Sequence, residues 1–500
     1  MSDLFARIHY AQSWKKFHMN IPRRTFLTRA AIAAGVFPLL PKRSGAGEPE
    51  GLPGTRPPVE ALARQTRISI VELGAIPGGD GIITAVIQTA IAACHKNGGG
   101  VVVIPAGRFV SGTIVLRSNV HIEFEPGAVL CGSTNKEDYP SQPTPSYRSL
   151  KDQGGFRALI YAENSENIGL HGGGLIDGQG GKFPYQGGDM DGRPRLIQFV
   201  SCRDVRVEGL RLKNSALWMQ HYLNCERVQI RGLNVWNHCN KNNDMLDIDG
   251  CRQVTVSDCI GDSGDDGITL KSTGPAPCEN IAISNCIISS RCNALKCGTE
   301  STGGFRNIAI VNCVVKPSAS TDSFNGDPTG ISGLSLEIVD GGIMEGITVS
   351  NLNIEGTLVP LFIRLGNRGR KHHKEAPTPP VGTLRNVRIS NVMVRGAGSI
   401  GSSITGIPGH RVEDVTLSGV QVELAVAGES SDVGKQVAEK EGSYPEGKMW
   451  GRLPAFGFFI RHASGVRFQD VTVIPAAGEP RPGLYLDDVV KSGGLVVGGS

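Results

Sequence analysis

Two groups of carboxylates with a strand-like run between them mark where this chain could do chemistry. Asp244, Asp247 and Asp249 precede Gln253 to Ser257, and Asp258, Asp262, Asp265 and Asp266 follow it. The β-branched alternation of Val254, Thr255 and Val256 reads as a half-buried strand. If one coil of the fold uses a little over twenty residues, Asp244 and Asp265 fall one coil apart on the same face. Stacked coils sit roughly 4.8 Å apart. Carboxylates that close raise at least one pKa, which sets a proton donor beside an ionised base. Aspartates beside glycine and serine ordinarily form turns, and Asp258 and Asp262 fit that description. The adjacent pair Asp265 and Asp266, in register with Asp244, does not.

The element that would hold them there is a repeat. An apolar residue or cysteine, two polar residues and then V/I-x-V/I recur from Cys202, Cys225, Cys251, Cys278, Phe305, Met344, Leu384, Val412 and Phe468. The spacing is 23, 26, 27 and 27 residues, then 39, 40, 28 and 56. Three short strands fill such a unit and no helical unit fits the alternation. The expected fold is therefore all-β, a single-stranded right-handed parallel β-helix. One amphipathic helix, from Gly81 to Cys94, would cap its N-terminal end. The longer insertions, 138–156, 366–382 and 425–453, are expected as loops on one side of the stack. Within the last, Ser430 to Asp432 and Glu439 to Gly442 read as solvated, and Tyr444 to Trp450 as aromatic residues reaching over a groove.

Composition sets the surroundings. Residues 1–45 carry eight Lys/Arg against one Asp, and removing that surplus of seven turns the formal +4 into −3. A nucleic-acid partner is not suggested. Arg23 and Arg24 before Phe26-Leu27, the apolar stretch from Ala30 to Leu40 and the small residues from Ser44 to Gly47 read as a twin-arginine-type export leader. Met19 is a possible alternative start. The expected organisation is a leader over 1–46, a linker over 47–66 and a β-helix over 67–500, periplasmic or secreted and monomeric, with no membrane span in the mature part. Export would permit disulfides for the twelve cysteines. Their recurrence at Cys225, Cys251 and Cys278, and at Cys259, Cys286 and Cys313, instead predicts stacked, buried, reduced thiols.

Several segments resemble glycoside hydrolase family 28, the polygalacturonase-like enzymes, and the resemblance covers nearly the whole mature chain. Gly98 to Gly107 with Leu116 to Ala128 are like the family's opening coils. Gly174 to Gly180 and Asn214 to His221 look like further family segments. Asn242-Asn243-Asp244 followed by Asp265-Asp266 resembles its N-T-D and D-D motifs. The resemblance implies that Asp265 is the general acid, while Asp244 and Asp266 hold and activate water. It also implies inversion, for which carboxyl groups stand about 6.5–9.5 Å apart. It implies no cofactor and no metal, and an acidic plant-type polysaccharide or oligosaccharide as substrate. Gly298-Thr299-Glu300 with Gly303-Gly304 resembles exo-acting members.

Two positions depart from the family pattern. Asn293 stands where a histidine is expected, and Phe362-Ile363-Arg364 replaces Arg-Ile-Lys. Both bear on which sugar is bound, and an uncharged or deoxy sugar beside a uronate is one option. Lys271 matches a basic position common in the family. Arg364 could grip a uronate carboxylate through paired hydrogen bonds, or pair with a neighbouring aspartate. Trp218 and His221 line the groove or pack inside a coil. The run Arg368 to Lys374 would attract an acidic polymer or form a solvated loop, and His372-His373 lacks a third metal ligand. Two other readings are a calcium-dependent pectate lyase on the same scaffold and a catalytically inactive carbohydrate-binding β-helix.

Overall fold

The computed structural model describes residues 66–79, 81–142, 156–187, 192–322 and 324–490, and the backbone of 496–497. The leader, nearly all of the linker and residues 143–155 of the 138–156 insertion lie outside the described residues.

The repeat builds the fold as expected. The first V/I of successive units stacks in register, Val205 on Val228, Val254, Ile281, Ile308, Ile347, Val387 and Val415. Each is buried, and burying such a side chain stabilises by about 1.5–3 kcal/mol. All named strand pairings are parallel and run as ladders from one coil to the next. The last unit departs from the pattern. Val471 pairs with Val420 rather than Val415, and Thr416 pairs with Arg467. Val466, fully buried, takes the core position that the motif had given to Val471.

Helix α1 (Thr84–Lys96) buries Ile87, Ala90, Ile91 and Cys94. It closes on the first coil so tightly that a Cβ on Gly100 would lie 2.9 Å from the Cys94 sulfur. Gln88 completes the cap by donating to the Val115 carbonyl and accepting from its amide. All twelve cysteines are free, and eleven are buried. The stacked-thiol expectation is therefore how they are found, with the Cys225 amide 3.2 Å from the Cys251 sulfur.

One ladder matters for function. It runs through β1 (Gln220–Leu223), β2 (Leu246–Asp249), β3 (Ile268–Ser272), β4 (Asn293–Ser301), β5 (Ser332–Ile338) and β6 (Val359–Leu365). Tyr222, Ile248, Leu270, Cys297, Leu336 and Ile363 form its inward row. The alternate row, His221, Asp247, Thr269, Lys296, Ser335 and Phe362, points away from the core and yet is buried. Polar side chains survive there because loops cover this face.

Candidate active site

The acids sit in the turns that lead into β2 and β3. The first turn is shaped by amides: Asn243 Nδ2 donates to the Ser215 and Leu217 carbonyls, and Asn237 Nδ2 donates to the Asp244 carbonyl. In the second, the Ser263 hydroxyl donates to the Asp265 and Asp266 carbonyls, and Ser290 also donates to Asp265. Gly267 is required next, because a Cβ there would lie 2.3 Å from the Ala294 carbonyl oxygen. The two turns are joined by the Met245 amide donating to Asp266 O and the Asp265 amide donating to Asn243 O. Asp244 thus stacks beside Asp266, with Asp265 one position earlier.

One oxygen from each of Asp244, Asp265 and Asp266 lies within 4.8 Å of the others. That is closer than the about 6.5–9.5 Å expected of facing acid and base. Three carboxyls share two neighbouring turns here, so they gather at one point instead of facing each other across a sugar.

Their surroundings separate their protonation. Burial, with Asp247 and Asp265 nearby, pushes the Asp244 carboxyl far above the usual carboxylate range. Burial and then Asp266 push Asp265 up to about 6. Asp266 is more deeply buried, but Lys296 and Lys271 outweigh that and hold it below its ordinary value. Lys296 Nζ lies 2.9 Å from Asp266 Oδ2. The other oxygen accepts from Asn293 Nδ2 at 2.6 Å and from the Asn293 amide at 3.2 Å. Asp247 is pushed up to about 7, first by burial, against the pull of Lys271. Of the triad, Asp265 alone keeps partial exposure.

Asn293 therefore sits against the expected base, with Ser332 donating to its carbonyl oxygen. Lys271 bridges Asp247 at 3.3 Å and Glu300 at 3.9 Å, under the half-buried Trp218 ring. Lys296, which the sequence reading missed, is the strongest partner of the triad. The signal was present: Thr269 and Lys296 are one 27-residue unit apart and pair directly.

Five expectations are corrected. His221 does not line a groove; it is fully buried between Gln198 and Asp249, and burial lowers its pKa to about 4, leaving it neutral. Arg364 neither faces the triad nor pairs with an aspartate. It is 1% exposed and donates to Thr405 Oγ1 and the Gly406, Glu439 and Lys440 carbonyls, so it clamps the 425–453 insertion. The 368–374 run is not simply solvated: Arg368 donates twice to Asp340, and Arg370 reaches Glu300 at 2.8 Å. Asp432, read as solvated, is buried against Arg452. Asp262 is likewise more than a turn former, since it is 8% exposed and accepts from Ser318 and His238.

Packed side chains cover the outward row on both sides of the site. Trp450 and Leu453 pack on Phe362 and Phe459, covering the outward row beyond Ser335. Phe156 packs with Tyr161, Val200 and Leu223 and edge-on against His221, covering it before Asp247. Tyr444 stands at the rim, 53% exposed, with Lys296 and Arg368 against its ring.

Comparison with known proteins bears on the family and the fold. The model of glycosyl hydrolases family 28 matches residues 94–442. A grapevine (Vitis vinifera) protein described as "Probable polygalacturonase" is 30% identical over 215 residues, 41% of this chain and 44% of that protein. The Dickeya chrysanthemi protein named exo-poly-alpha-D-galacturonosidase is 34% identical over 155 residues, 29% of this chain and 25% of its own length. The matches thus span less than half of either relative. The family 28 exopolygalacturonase structure from Yersinia enterocolitica superposes with a TM-score of 0.65 at 19% identity, covering 85% of this chain and 78% of its own. It attests the shared fold. With its family model matched over most of the β-helix and its acidic triad assembled between two coils, this chain belongs to family 28 of the glycosyl hydrolases.

Proposed function

We propose that the protein is an exported, inverting, exo-acting glycosidase that hydrolyses pectin-type polysaccharide or its oligosaccharides. One observation carries the reading: a partly exposed carboxyl pushed up to about 6, Asp265, stands beside Asp266, which Lys296 and Asn293 hold ionised. In the proposed cycle Asp265 gives its proton to the glycosidic oxygen as the bond to the anomeric carbon breaks. Water adds to that carbon and passes a proton to Asp266, with Asp244 helping to hold the water.

Inversion is supported by what the other carboxylates can do. Both Asp266 oxygens accept hydrogen bonds, and Asp244 is driven toward its neutral form. Neither is a good nucleophile toward carbon, so water is left as the attacking group. Exo action is supported by Trp450 and Phe156, which pack over the outward row on either side of the triad. Export is proposed from the paired arginines and apolar stretch of the leader.

Asp265→Asn tests the assignment. Reducing-sugar release from pectic oligosaccharides should fall by about 10²–10⁴-fold, with the melting temperature unchanged or slightly higher because a raised-pKa carboxyl is removed. Retained turnover sinks the acid assignment. Proton NMR of the first anomer released should show inverted configuration, and retention contradicts the mechanism.

A further inference from the structure

Between the strands Phe305–Lys316 and Ser332–Ile338 lies the insertion that lengthens the repeat from 27 to 39 residues. Its start is fixed to Asp262: the Ser318 hydroxyl and the Ala319 amide donate to that carboxylate, which His238 Nε2 also meets at 2.8 Å. Farther along, buried Arg291 donates through Nε to the Asn325 carbonyl at 3.1 Å and through Nη1 to the Ser320 carbonyl at 3.4 Å. The Asp327 amide returns a hydrogen bond to Arg291 O at 2.7 Å. So pinned, the loop brings Asn325 Nδ2 to 2.6 Å from Asp265 Oδ2.

We propose that Asn325 is the positioning residue of the acid, fixing the Asp265 carboxyl so that its transferable proton is carried on Oδ1. The inference rests on Asp265 as the proton donor. An amide nitrogen can donate but not accept, so a proton on Oδ2 could not be directed at it, and the contact favours Oδ2 as the carbonyl-type acceptor with the proton on Oδ1. The short contact also fixes the plane of the carboxyl, which decides whether a proton meets the glycosidic oxygen or misses it. None of the family-like motifs in the sequence contains Asn325. It reaches the acid from 60 residues away, and only because Arg291 and Asp262 tie the loop down.

The interaction has a directional signature. Charged and titratable groups around Asp265 are Asp266 in its own turn, Asp244 on the preceding coil, Lys271 on β3, and Lys296 and Cys292 on the following coil. Asn325→Ala leaves all of them in place. A donor to the ionised carboxylate favours that form, so its loss raises the acid's pKa. The enzyme needs this acid protonated, so the alkaline limb of the pH–rate profile should move upward by about half a pH unit or more while kcat falls about 10-fold or more. Asn325→Asp keeps the shape, replaces the donor with a like charge and should move the limb further.

A carbon-13 NMR titration of the Asp265 carboxyl in wild type, Asn325→Ala and Asn325→Asp reads the same coupling without turnover. The expected order of midpoints is wild type, alanine, aspartate. Equal midpoints, or a downward shift on removing the amide, overturn the proposal. If pectic oligosaccharides are not hydrolysed while the ordered midpoints are found, the hydrolase reading fails and the Asn325–Asp265 coupling stands.

Discussion

Replacing Lys296 with methionine should make the stability of this protein depend on pH in a way the wild type does not. Lys296 and the Asp266 carboxylate are both buried at 2.9 Å, where a charge pair is worth about 6 kcal/mol at an effective dielectric of about 20. Part of that only offsets desolvation, and removing one member of a buried pair costs about 3–5 kcal/mol. In the wild type the pKa of Asp266 is depressed, so its stabilisation is present above the ordinary carboxylate value and is lost as pH falls through the folded value. In the variant, burial and the neighbouring carboxyls act without the main cation and raise that pKa. The unfolded chain then releases its proton first, and the variant loses stability as pH rises above about 4. The difference in melting temperature should be a few degrees at pH 8 and should shrink toward zero near pH 3. Calorimetric scans across that range measure it, and an equal difference at pH 8 and pH 4 would refute the reasoning. Activity gives a second reading. With Asp266 protonated at neutral pH, kcat should fall by about 10²-fold or more and recover partly as pH rises.

Arg364→Leu should remove the clamp on the 425–453 insertion and cost about 2 kcal/mol or more through unsatisfied carbonyls, lowering the melting temperature. Neither limb of the pH–rate profile should move, because Arg364 does not touch the triad; a shifted limb would return it to the site. Chelators should leave activity intact and no ultraviolet-absorbing unsaturated product should form, since Lys271 and Lys296 already supply positive charge beside the carboxylates. Loss of activity on chelation, restored by calcium, would favour the lyase reading.

The repeat carries the fold on its face. A V/I-x-V/I unit returning every 23–27 residues buries itself only by stacking on its neighbours, so the parallel ladders follow from period and alternation. A coil of 22 residues at this point places Asp244 beside Asp266, and the triad was legible because one turn of the stack is that short. The missed Lys296 lies on this grid too, one unit after Thr269. Arg364 misleads because a strand pattern does not say what covers its outward row. Every second residue of the ladder points away from the core, and whether it meets a substrate or a loop depends on insertions elsewhere in the chain.

The sequence by itself determined the coil, the inward stacks of valine, isoleucine and cysteine, and the meeting of three carboxyls in adjacent turns, because these depend on local period alone. Only the tertiary structure decided how burial and the two lysines divide the carboxyls' protonation, that Arg364 serves a loop and that Asn325 reaches Asp265. Those outcomes depend on burial and on contacts between residues tens of positions apart, and no local pattern encodes the path of a covering loop.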